Sequence, residues 1–149
     1  MSERIKANLK SLIKYCQDIE KLHETYGADY DTYEENIGYQ YSVSFCVEQI
    51  GEVAKKLRDC GAGEKYPEVE WNKIAGLRNR IAHGYATVDL EMVFDISISE
   101  VPELLRQCKD ILQKENSLKE KREAADAIQS SQNNGKQPGK TISNDKYEL

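Results

Sequence analysis

Residues 78–85 read RNRIAHGY: an arginine, a histidine five positions on, and a tyrosine two beyond that. Arginine carries a permanently charged, planar fork of donors that matches a phosphate or a carboxylate. Histidine ordinarily titrates near neutrality, so it can take up or release a proton. Arg78 and His83 together could therefore hold a phosphate and move a proton beside it. Tyr85 has two readings, ordinary packing at a helix end or a hydroxyl presented to the same site.

The surrounding pattern makes Arg78 unusual. Trp71, Ile74, Leu77 and Ile81 recur at helical spacing. If one straight helix carries them, with Ile74 at zero, Trp71 falls at about +60°, Ile81 at about −20°, Leu77 at about −60° and Arg78 at about +40°. The arginine then sits inside the apolar sector. Snorkelling of its stem is the ordinary account of such a residue, but the nearby histidine favours a phosphate site. Asn79 and Arg80 point elsewhere, Arg80 as a solvated or RNA-contacting charge. Gly84 stands where a helix C-terminal glycine would, which predicts a helix end near His83.

Other helices must position this segment. Ile5, Leu9, Leu12, Ile13, Cys16, Ile19 and Leu22 write a first amphipathic helix. YGADYDTYEENIG reads as a connection, and a second helix runs from about Asn36 to Leu57. On that second helix Ile37, Tyr41, Phe45, Glu48 and Glu52 lie opposite the core stripe. An apolar stripe on a solvent face is explained by a two-fold homodimer, which buries it against its own copy. Glu48 and Glu52 then read as polar interface or surface residues. A fourth helix begins near Val88–Asp89 and runs to Leu112, with a kink or restart at Pro102 and Ser99 available as a cap. With no sustained two-residue alternation, the prediction is an all-α antiparallel bundle of four to five helices over residues 1–114. From Glu115 the chain turns polar, and residues 115–149 are expected to form an unordered tail.

Composition narrows the chemistry. Mean hydropathy is −0.73, no apolar run reaches the length of a membrane span, and the N-terminus lacks a signal-peptide core. A cytoplasmic location and no membrane partner are the expectation. Cys16, Cys46, Cys60 and Cys108 form no C-x2-C pair, and two histidines cannot complete a zinc set. Free buried thiols and no metal or cofactor are expected. The Gly-x-Gly of DCGAGEKYP reads as a turn rather than a nucleotide loop. Net charge is −5; six basic and six acidic residues after position 114 cancel, so the excess belongs to residues 1–114. Nucleic-acid binders usually carry a basic footprint, so only a local basic patch could serve here.

RNRIAHGY resembles the R-x4-H-x-Y motif of the HEPN superfamily, specifically its HepT-like toxins. The likeness extends to EQIGEVAKKL, YPEVEWNKIAGLRNRIAHGY and VDLEMVFDI, covering roughly residues 5–112. It implies an all-α homodimer that brings two motifs together and, in many members, a metal-independent endoribonuclease. It also implies a cognate minimal nucleotidyltransferase antitoxin that transfers AMP to the motif tyrosine. On this resemblance Arg78 and His83 are catalytic, Asn79 is the polar residue after the arginine, and Tyr85 is the adenylylation site; beside them Asn79 and Arg80 are expected to bind substrate or support the site. The RNA class, tRNA or mRNA, is left open. The alternative is a non-catalytic HEPN module that binds a nucleotidyltransferase or nucleotide.

Overall fold

The computed structural model describes residues 1–84 and 87–134. The described residues form an all-α bundle: α1 Glu3–Tyr26, α2 Tyr30–Glu35, α3 Ile37–Asp59, α4 Ala62–Lys65, α5 Trp71–Ala75, α6 Leu77–Ile81, α7 Leu90–Ser99 and α8 Val101–Asn134. None of these helices is long and apolar enough to cross a membrane. The extra short helices fall where the sequence suggested connections or one unbroken helix. In the first connection, Gly27 ends α1 with φ +84°, and Asp29 caps α2 by accepting from the Thr32 amide. Tyr33 on α2 is buried and donates its hydroxyl to the Leu90 carbonyl.

Helix α3 is the centre of the bundle. It packs along α1 on one side and against α5, α6 and α7 on the other. Val43, Val47, Ile50, Ala54 and Leu57 are fully buried along it. Gly51 sits where α5 and α6 meet it: a Cβ there would lie 3.3 Å from Leu77 Cβ and 3.4 Å from the Ile74 carbonyl oxygen. A side chain at this position would push the Arg78-bearing segment off α3. Cys16, Cys46 and Cys108 are buried and free. Burial pushes the Cys46 thiol up to about 11 and that of Cys108 up to about 12, far from thiolate reactivity.

The chain divides after Glu115 into two units. The unordered tail expected from Glu115 is corrected as far as Asn134, because α8 continues to that residue. The segment LKEKREAADAIQ is built from strong helix formers. Once the buried turns at Val101, Leu104, Leu105, Cys108 and Ile111 have nucleated the helix, each added residue gains a hydrogen bond without burial. Residues 135–149 lie outside the described residues.

One partly buried polar chain ties three helices together. Ser97 Oγ donates to the Phe94 carbonyl at 2.7 Å, so it accepts from His23 Nε2 at 2.9 Å. His23 Nδ1 is then left as the acceptor for the Tyr39 hydroxyl. This direction requires the neutral imidazole, and burial holds the His23 pKa below its ordinary value. The folded state therefore binds a proton less readily than the unfolded chain, whose histidine titrates at about 6.5. This contribution to stability is present above that pH and is lost as the pH falls toward the lower folded value. Thermal melts from pH 8 to pH 5 are expected to fall more for the wild-type chain than for His23→Gln. Parallel curves would remove His23 from the account.

Candidate functional site

The segment from Trp71 to Ile81 is not one helix. Gly76, with φ −84° and ψ 2°, separates α5 from α6. That break invalidates the single-helix wheel. Leu77 and Ile81 remain buried, but the Arg78 side chain is 74% exposed, a correction to its expected place in the apolar sector. Asn79 is exposed beside it. Arg78 Nη1 lies 3.8 Å from Glu52 Oε1 on α3. Because both side chains are solvated, this loose pair adds little stability. It does place the guanidinium over the charged half of the α3 outer face.

Helix α6 stops at Ile81, earlier than expected. Ala82 is extended and forms an antiparallel bridge with Val88. The His83 amide donates to the Thr87 carbonyl at 2.9 Å, and the Asp89 amide donates to the Ile81 carbonyl at 2.6 Å. These bonds make a small hairpin whose turn includes Gly84 at φ +71°. Gly84 thus serves a turn between two extended segments, not a helix C-terminus. His83 is exposed on the first arm of this hairpin. Asp89 closes the second arm and caps α7 by accepting from the Met92 amide. Tyr85, the proposed modification site, lies outside the described residues.

Arg80 does not join the solvated site. It makes a two-pronged pair with Glu100, at 3.1 and 2.8 Å, and Lys73 approaches the same carboxylate at 3.3 Å. Arg80, expected as a solvated charge, is thus held by a carboxylate while its side chain stays 32% exposed. Glu100 stands at the break between α7 and α8, so the pair fixes α6 against that junction. Hydrogen bonding from Arg80 holds the Glu100 carboxyl below its ordinary value. Ser99, offered by the sequence as a cap for the restart, instead bonds back to the Asp95 carbonyl. Glu100→Gln is expected to lower stability by about 1 kcal/mol or less, because both groups remain partly solvated. The loss should read as a fall of about 2–4 °C in melting temperature at most, and should shrink at acid pH, where the wild-type Glu100 is itself protonated and as neutral as the glutamine. An unchanged melting temperature at neutral pH would show that this clamp carries no stability.

Ile37, Tyr41 and Phe45 are exposed by 66%, 65% and 55%, as the helical register of the sequence required. A groove of about 410 Å³ joins this face to the hairpin, lined by Tyr41, Phe45, Glu48, Thr87, Val88 and Leu90, with Ser44 at its base. Thr87 is the residue whose carbonyl holds His83. The structure thus connects the apolar face of α3 with the hairpin and, through Glu52, with Arg78. The Glu52 contact was within reach of the sequence, since Glu52 lies on the stripe. The Glu100 contact was not, because nothing local announces a partner twenty residues away.

Comparison with known proteins bears on this arrangement. The family model described as Ribonuclease HepT-like matches residues 12–111. Two proteins of Methanocaldococcus jannaschii named as candidate RNases are each 33% identical to the chain. One match spans 108 residues, 72% of this chain and 90% of the relative. The other spans 119 residues, 76% of this chain and 96% of the relative. A third candidate RNase, from Caldanaerobacter subterraneus subsp. tengcongensis, is 41% identical over 69 residues, 46% of this chain and 61% of the relative. No solved structure matches the chain. The matched span contains α3, the helices around Gly76 and the whole hairpin, and with them every residue of the candidate site, so the chain belongs to the HepT-like ribonuclease family.

Proposed function

We propose that this protein is an endoribonuclease that cuts RNA without a metal, using Arg78 and His83 of a two-fold homodimer. The observation that carries this reading is the solvent exposure of both side chains, Arg78 on α6 and His83 on the hairpin arm that follows it. A structural arginine and histidine would be buried or fully paired, as Arg80 and His23 are. RNA supplies its own nucleophile, the 2′-hydroxyl, which attacks the adjacent phosphorus. A neutral His83 would take that proton, and Arg78 would stabilise the charge developing on the phosphoryl oxygens. The 5′-oxygen leaves with a proton, and the product is a 2′,3′-cyclic phosphate. One histidine cannot readily serve both oxygens, so the second acid would come from the partner copy across the Ile37–Tyr41–Phe45 face. The direct test is cleavage of single-stranded RNA in EDTA with identification of the new 3′ terminus. A requirement for added metal, or a product with a plain 3′-hydroxyl, would overturn the mechanism, and no cleavage at all would leave a nucleotidyltransferase-binding module.

We further place the protein as the toxin of a toxin–antitoxin pair whose antitoxin is a minimal nucleotidyltransferase. Tyr85, two residues after His83, is the acceptor of AMP in this reading. The added nucleotide would bring bulk and negative charge to the place where the RNA phosphate must bind. Incubation with such a transferase, ATP and magnesium is expected to add AMP to the wild-type chain and not to Tyr85→Phe, as read by intact mass. An adduct that persists in Tyr85→Phe would move the site elsewhere.

A further inference from the structure

A ribonuclease with a net charge of −5 must gather its phosphate contacts locally. The outer face of α3 changes character along its length: Ile37, Tyr41 and Phe45 give way to Glu48, Glu52, Lys55 and Lys56. With Glu52 at zero on the helical wheel, Gly51 lies at about −100°, Arg58 at about −120°, Lys55 at about −60° and Lys56 at about +40°. The flank at negative angles is the one that faces α5 and α6. Gly51 brings that flank to within 3.7 Å of the Arg78 amide nitrogen, as measured from a built Cβ, and Arg58 reaches Asn72 at its other end. Lys55 stands between them, one helical turn or about 6 Å along the axis from Gly51. It is exposed, and among the described residues it has no ion-pair partner. Lys56, equally exposed, points about 100° away from it.

We propose that Lys55 is a substrate-binding residue that takes an RNA phosphate neighbouring the one held by Arg78. The proposal rests on the ribonuclease reading for its substrate and supplies the local basic contact that the overall charge withholds. An unpaired ammonium one turn from the arginine's seat suits the next phosphate along a strand. A point charge is sufficient there, because it orients the backbone and does no chemistry.

The test uses the full chain carrying His83→Ala, so that RNA is bound and not cut, with a fluorescently labelled single-stranded oligouridylate as the probe. Anisotropy titrations at several salt concentrations are expected to show Lys55→Gln weakening binding by roughly three- to tenfold. The slope of log affinity against log salt should fall by roughly 0.7–1, the loss of one phosphate contact. Lys55→Arg should keep wild-type affinity and slope, and Lys56→Gln should change neither. A Lys55→Gln slope equal to the parent's, an equal loss in Lys56→Gln, or no binding of the probe by the parent would each overturn the assignment. The two readings fail separately. Lys55-dependent binding in a chain that does not cut RNA, with His83 restored, sinks the catalytic mechanism alone. Cleavage whose KM ignores Lys55 sinks this inference alone.

Discussion

RNA cleavage by His83→Ala is expected to fall by roughly 10²–10⁴-fold, the usual contribution of a positioned general acid or base. Arg78→Ala should lose activity as well. Arg78→Lys should recover little of it, because an ammonium cannot present two parallel donors to one phosphoryl group. The structure sharpens the control for this experiment. With its side chain 74% exposed, Arg78 contributes little packing, and His83 is exposed on a hairpin arm. Both variants should therefore melt within about 0.5 kcal/mol of the wild-type chain. The stabilisation that Arg78→Ala would bring, were the arginine an intruder in an apolar stripe, is not expected from this geometry. Activity that survives His83→Ala in a clean preparation would defeat the mechanism.

Phe45→Asp is expected to turn a dimer into a monomer at micromolar concentration and to abolish most cleavage in the same step. Ile37, Tyr41 and Phe45 leave more apolar side chain in water than a helix face needs for folding. A charge in a face buried against its own copy would be desolvated without a partner, in both copies at once. The chain itself should stay folded, since Phe45 is 55% exposed and touches Tyr15 only edge-on, at 6.3 Å between centroids. Light scattering and turnover read the two effects independently. A monomeric wild-type chain that cuts RNA would detach catalysis from dimerisation. A dimer indifferent to Phe45→Asp would place the interface on another face.

Much of the bundle was legible because its helices are long and one-sided. In α1 and α3 the apolar residues return every three or four positions for about four to five turns, and the core residues so marked are buried except Ile13 and Leu22, which are half-buried. The exposed stripe on α3 followed from the same arithmetic. The short helices did not follow, because four to six residues hold too little periodicity to outweigh the glycines and acidic residues around them. The continuation of α8 to Asn134 was hidden for a different reason. A shortage of apolar residues shows that a segment lacks a core, but a helix already nucleated elsewhere can extend without one.

At the candidate site the division is sharper. The sequence by itself determined which groups are present and near one another: Arg78, His83 and Tyr85 lie within eight residues, and no folding could have separated them far. Only the tertiary structure decided where they point. A helical wheel is valid for as long as the helix is unbroken, and the interruption at Gly76 resets the phase of every residue after it. Arg78 accordingly leaves the core for the surface beside Glu52, while Arg80 is drawn to Glu100. The hairpin that carries His83 depends on backbone bonds from the Asp89 amide to the Ile81 carbonyl and from the His83 amide to the Thr87 carbonyl. Backbone hydrogen bonds across a turn leave little mark on side-chain pattern, so only the folded chain reveals them.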